Sequence, residues 1–205
     1  MIKLLYVFYL AVKNTSYYQI TYRILIDHNI IEECRKGNLS YFRDLVGITS
    51  PFAFSVAFRM IGNEDQAKDI VQDTMVTMWQ KIGQIRSADN FKMWLYKIVV
   101  NKCYDQLRKK RNAKEYNVDE AGWAMISNHI SEKSVSEMEN SETARIINIL
   151  TGNLSPKQKA VFVLCDLEEM TLDETSSITG ISKKNVKANL HYARKKMSEM
   201  IKKYI

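Results

Sequence analysis

Proline appears only twice in this chain, as Pro51 and Pro156, and glycine only seven times in 205 residues. Leu, Ile, Met, Lys and Glu are plentiful, so the chain lacks the turn formers of a sheet architecture and is rich in helix formers. The expected fold is all-α. With 46% apolar residues it can bury real cores, and its length suits one medium domain or two small ones.

Punctuated helical pattern begins at Asp27. Ile30, Ile31 and Cys34 form a short apolar face ended by Gly37, and Asn38 can cap a helix carrying Leu39, Phe42, Leu45 and Val46. Ser50 and Pro51 have the form of an N-cap and first turn, which predicts a separate helix over 52–61 stopping at Gly62. Asn63, with Gln66 three residues on, starts the next. There Ala67, Ile70, Val71, Thr74, Met78 and Ile82 share one face, leaving Glu64, Asp65, Asp69, Gln72 and Asp73 as an acidic edge. A loop over 83–89 leads to Phe91, Trp94, Leu95, Ile98 and Val99, which step by three and four toward a basic helix end. Cations suit a helix C-terminus, but RKKR exceeds what capping requires.

Charge is unevenly distributed. The chain carries a formal +7, which makes a polyanion a plausible partner. From Lys97 to Lys114 there are seven basic residues and one acidic; from Lys183 to Lys203, eight and one; from Asn112 to Glu142, two and seven. Residues 112–140 are also poor in periodic apolar positions and read as a flexible acidic linker. Helical pattern resumes at Ser141 with Ile146, Ile147 and Leu150, and Ser155, Pro156 and Gln158 spell cap, first turn and capping-box partner.

The end of the chain, TLDETSSITGISKKNVKANLHYARKKM, has the layout of a helix-turn-helix. Thr171 and Glu174 make a capping box, Leu172 and Ile178 face inward, Gly180 permits a tight turn, and Ser182 caps a second helix bearing Val186 and Leu190. This puts Lys183, Lys184, Lys187, Asn189, His191 and Arg194 in or beside a major groove. The competing reading is a solvated basic helix in a bundle, against which stands the mutual repulsion of eight cations on one helix.

Other chemistries find little support. Cys34, Cys103 and Cys165 are far apart and lack metal-ligand spacing, which suits small core residues in a reducing cytoplasm. His28, His129 and His191 are scattered, no nucleophile has a partner at recognisable spacing, and no glycine-rich phosphate loop occurs. No cofactor, metal or small-molecule substrate is expected. The apolar stretch LLYVFYLAV after Lys3 is too short to span a bilayer and lacks a clean cleavage site, so residues 1–26 read as an extension or an early start rather than an export signal.

Three segments together resemble the extracytoplasmic-function (ECF) sigma factors of the sigma-70 family. LSPKQKAVFVLCDLEEMTLDETSSITGISKKNVKANLHYARKKM resembles sigma region 4, NEDQAKDIVQDTMVTMWQKI resembles region 2.2, and NFKMWLYKIVVNKCYDQLRKKRN resembles regions 2.3 and 2.4. The resemblance implies a region 2 helical bundle over 27–111, a linker over 112–140 and a region 4 domain over 141–205. It implies a non-enzymatic subunit that binds core RNA polymerase through the β′ clamp helices and the β flap, reads promoter DNA and is restrained by an anti-sigma factor.

Residue by residue, the resemblance makes Asp69, Gln72 and Asp73 the polymerase-docking set. Ser87, Ala88, Asp89, Asn90 and Phe91 would surround a base flipped from the minus-10 element, with Trp94, Lys97, Asn101, Lys102 and Arg108 completing that surface. The minus-35 set is Lys183, Lys184, Lys187, Asn189, His191, Tyr192, Arg194 and Lys195. Trp79 and Trp94 also fit core packing. The chain departs from the family at Thr175 and Ser176, where Ile and Ala are common, and at Tyr192, where a basic residue is frequent. The alternative function is a free-standing helix-turn-helix regulator, which leaves the docking and base-capture matches unexplained.

Overall fold

The computed structural model describes residues 28–85, 87–112 and 150–204, and among them every regular element is helical. Two compact units divide the chain between Cys103 and Tyr104. The acidic segment expected as a linker, and the helix start expected at Ser141, lie outside the described residues apart from Leu150 and Thr151, both buried.

The first unit opens with α1 (His28–Arg35), whose Ile31 and Cys34 are buried. Gly37 takes the left-handed conformation at φ 85°, and the Asn38 side chain accepts from the Ser40 amide to start α2 (Leu39–Ile61). The separate helix predicted from Ser50 and Pro51 does not exist. α2 runs through Pro51 without a break, because Leu45, Thr49, Phe52, Ala53, Val56, Ala57 and Met60 form one continuous buried stripe. Proline in a helix interior removes one backbone hydrogen bond and crowds the preceding turn. Burial of several large side chains at roughly 1.5–3 kcal/mol each outweighs that. α2 is also long and apolar enough to cross a membrane, with a mean hydropathy of 1.3, but half of that stretch is buried inside its unit.

Gly62 ends α2 at φ 70°, and Asn63 caps α3 (Glu64–Lys81) by accepting from the Gln66 amide. The return half of that capping box is missing, since Gln66 Oε1 is buried without a partner. Ala67, Ile70, Thr74 and Met78 are buried along α3, which packs against α2. Short 3-10 turns at Ile82–Gln84 and Ala88–Asn90 lead into α4 (Phe91–Asn112). Phe91, Leu95, Tyr96, Val99, Val100 and Cys103 are buried on α4, with the Tyr96 ring edge-on to Phe52 at 4.4 Å.

In the second unit, α5 (Pro156–Phe162) starts with the predicted reciprocal capping box between Ser155 and Gln158. A π turn at Val163–Leu167 follows. Then come α6 (Leu172–Thr179), with its own box between Thr171 and Glu174, and α7 (Lys183–Tyr204). Gly180 at φ 69° makes the turn between them, and the Ser182 hydroxyl accepts from the Asn185 amide. Val161, Val186 and Leu190 form a small core against which Cys165, Leu172 and Ile181 pack. Thr175 and Ser176 fit this core without strain: the Thr175 hydroxyl meets Cys165 Sγ at 3.3 Å, and Ser176 Oγ donates to the Ile181 carbonyl at 2.7 Å.

Candidate protein and nucleic-acid interfaces

α3 turns its apolar face to the core, so its acidic residues face solvent. Asp69, Gln72 and Asp73 are all exposed. Just beyond them Val76 and Trp79 are 51% and 38% exposed. Trp79 is therefore not fully core as expected: it lies at the rim of the unit, its ring edge-on to Phe42 at 4.7 Å. Lys102 Nζ on α4 comes within 3.9 Å of Asp73 Oδ2. A residue expected at DNA thus borders the edge expected at polymerase.

The loop before α4 is built around Ser87, whose hydroxyl accepts from the Asp89 amide at 3.2 Å and donates to Asp89 Oδ2 at 3.1 Å. Asp89 Oδ1 lies 3.3 Å from His28 Nε2, so α1 reaches the loop through a histidine that the sequence pattern did not single out. Asp89 and Asn90 are exposed, Ser87 and Ala88 half-buried. Phe91 is wholly buried, and this corrects its expected place beside a flipped base: it anchors the loop from beneath. Trp94 is half-buried, its ring tilted against Phe91 at 5.8 Å, and Lys97, Asn101 and Arg108 are exposed along α4. Exposed polar groups beside a partly open aromatic and a row of cations can hold an unpaired base and its phosphates.

On α7 the buried Val186, Leu190, Ala193 and Met197 fix the inward face. Lys183, Lys184, Lys187, His191, Tyr192, Arg194 and Lys195 are exposed, while Asn189 is half-buried. Several of these already have partners. Lys183 Nζ pairs with Asp173 at 2.7 Å across the turn. Arg194 makes a two-point ion pair with Asp166 of the π turn, Nε to Oδ2 at 3.0 Å, which pushes the guanidinium pKa up. Asn189 Nδ2 donates to the Asn185 carbonyl at 2.7 Å, and Lys195 stands 3.8 Å from Glu199. Lys187 and Asn189, two residues apart, point about 200° apart around the axis and cannot share one face. Asp166 escaped sequence reading because the pairing depends on the π turn.

Fold and surfaces together define an all-helical protein whose first unit exposes an acidic helix edge and whose second ends in a helix-turn-helix with an exposed basic helix. Sigma-70 region 2 matches residues 45–113 and sigma-70 region 4 matches residues 150–197, together more than half of the chain. The ECF RNA polymerase sigma factor SigW of Bacillus subtilis is 27% identical over 180 residues, covering 84% of this chain and 95% of SigW. The RNA polymerase sigma factor CnrH of Cupriavidus metallidurans is 27% identical over 184 residues, covering 85% and 94%. The solved structure of CnrH in complex with the cytosolic domain of CnrY shares the fold, with a TM-score of 0.59 at 24% identity over 86% of this chain and 97% of that one. So does the sigma factor RpoE of Bartonella quintana in complex with the anti-sigma factor NepR, with a TM-score of 0.56 at 20% identity over 78% and 96%. The chain belongs to the sigma-70 family, as an ECF RNA polymerase sigma factor.

Proposed function

We propose that this sigma factor divides its work between the two units and performs no chemistry of its own. The acidic edge of α3, with Asp69, Gln72 and Asp73, docks on the β′ clamp helices of core RNA polymerase, and the second unit sits on the β flap. Ser87, Ala88, Asp89 and Asn90 take a base of the minus-10 non-template strand, with Trp94, Lys97, Asn101 and Arg108 along the strand and Lys102 between the two surfaces. α7 enters the major groove of the minus-35 duplex, led by Lys184, Lys187, His191, Tyr192 and Lys195, with Lys183, Asn189 and Arg194 on its flanks. Residues 27–111, 112–140 and 141–205 remain the proposed working boundaries.

The observation that carries this reading is the pairing of an exposed acidic helix edge in the first unit with an exposed cationic helix in the second. One relative of the same fold is bound to an anti-sigma factor and another to the cytosolic domain of CnrY, which supports an anti-sigma partner for this chain and a cytoplasmic place of action. The test is transcription by purified core polymerase with and without the chain. Promoter-specific transcripts only in its presence are expected. Sequence-specific duplex binding without polymerase, and no new transcript with it, would favour a free-standing regulator.

A further inference from the structure

The outward face of α7 is less cationic than its composition suggests. At about 100° per residue, Lys184, Ala188, His191 and Lys195 lie opposite the buried Val186, Leu190, Ala193 and Met197, with Tyr192 beside them. Lys187 and Arg194 fall on one flank, Asn185 and Asn189 on the other. Ala188, His191, Tyr192 and Lys195 are spaced i, i+3, i+4 and i+7, a spacing with which helices in a major groove present side chains to bases. Several polar residues of the helix are engaged within the unit: Lys183 by Asp173, Arg194 by Asp166, Asn189 by the Asn185 carbonyl, Lys196 by the Asn153 carbonyl and, more loosely, Lys195 by Glu199. On the outward side stand two apolar groups one turn apart, the methyl of Ala188 at its centre and the ring of Tyr192 toward its edge. Tyr192 is 57% exposed, the one large exposed hydrophobic among the described residues of its unit.

The exposed Tyr192 ring, edge-on to its neighbour His191 at 5.9 Å, stands outside the core of its unit with Ala188 and Lys195 one turn to either side. Duplex DNA suits the whole arrangement: phosphates meet the cations, and the C5 methyl of thymine is the apolar group on the major-groove edge. We infer that Ala188 and Tyr192 form a thymine-methyl-reading pair at the centre of the recognition helix, so that the minus-35 element carries a thymine, on either strand, facing them. This rests on the assignment of α7 to the minus-35 duplex and adds the base identity and the residues that read it.

The promoter is obtained by selecting from a randomised duplex library with the reconstituted holoenzyme. Each thymine of its upstream element is then replaced by deoxyuridine, which removes only the methyl. Affinity should fall about fourfold at one or two of these positions, the value of one buried methyl group. In the double variant Ala188→Ser with Tyr192→Gln, thymine and deoxyuridine should bind alike there, with helicity unchanged by circular dichroism. Deoxyuridine tolerated at every position by the unaltered protein, or discrimination retained by the double variant, overturns the inference. Indifference of the holoenzyme to the entire upstream element overturns the assignment of α7 itself, so the two failures are distinguishable.

Discussion

Thr171 and Ser176 brace the helix-turn-helix from its two ends. Thr171 accepts from the Glu174 amide while its own amide donates to Glu174 Oε2, and Ser176 ties α6 to the Ile181 carbonyl beyond the turn. Thr171→Ala should cost about 1 kcal/mol as a lost cap, and Ser176→Ala about the same as a lost hydrogen bond. Thermal melts of the two variants check both values. The capping boxes were legible because their spacing alone defines them. The fit of Thr175 and Ser176 was not, since it depends on Cys165 and Ile181 arriving from elsewhere in the unit. A pH effect arises at Cys34, where burial pushes the thiol from 9.0 up to about 11. The folded state then holds the proton more tightly than the unfolded one. Its contribution is whole below pH 9 and is lost as pH rises toward 11. Denaturant midpoints measured across that range should fall less steeply in Cys34→Ala than in the unaltered protein.

At the scale of helices, α3 shows most directly how an amphipathic pattern becomes a surface. Its buried residues follow the predicted face, and what remains is the acidic edge. Replacing Asp69 and Asp73 together by Lys should weaken binding to core polymerase while leaving helicity and melting temperature nearly unchanged. Asp73 is 74% exposed and its approach to Lys102 is 3.9 Å, so the lost pair is worth under about 1 kcal/mol. Unchanged affinity for core polymerase in a titration would remove the docking assignment. Helix faces were readable from periodicity, but two features escaped it for the same reason. The Ser50 and Pro51 signal is local, whereas the stripe from Leu45 to Met60 that overrides it is held by α3 and α4. Trp79 is an aromatic of the kind that fills cores, yet it shares the outer side of α3 with the exposed Val76 three residues before it, and so lies at the rim with its ring edge-on to Phe42.

Across the whole chain, charge is arranged in blocks, and the blocks predict more than the net value does. Two basic segments flank the acidic stretch from Asn112 to Glu142, with seven acidic and two basic residues. Segments of opposite sign respond oppositely to a polyanion: basic flanks are drawn to phosphate, while an acidic middle is repelled. The order of the two units could be read from motifs. Their division inside α4, between Cys103 and Tyr104, could not, because a helix that continues across a boundary leaves no break in its pattern. As a hypothesis, the acidic middle suppresses binding to DNA that lacks a promoter. Replacing Glu132, Glu137 and Glu139 by Gln should raise the holoenzyme's affinity for a non-promoter duplex and leave its affinity for the promoter nearly unaltered. If the freed basic flanks then reach additional phosphates, the slope of log affinity against log salt for the competitor should steepen by about 0.9 for each one gained. Competition binding at several salt concentrations measures both quantities at once. An unchanged competitor affinity with an unchanged slope would mean that the acidic segment is neutral toward DNA, and selectivity would then rest on the two helical units alone.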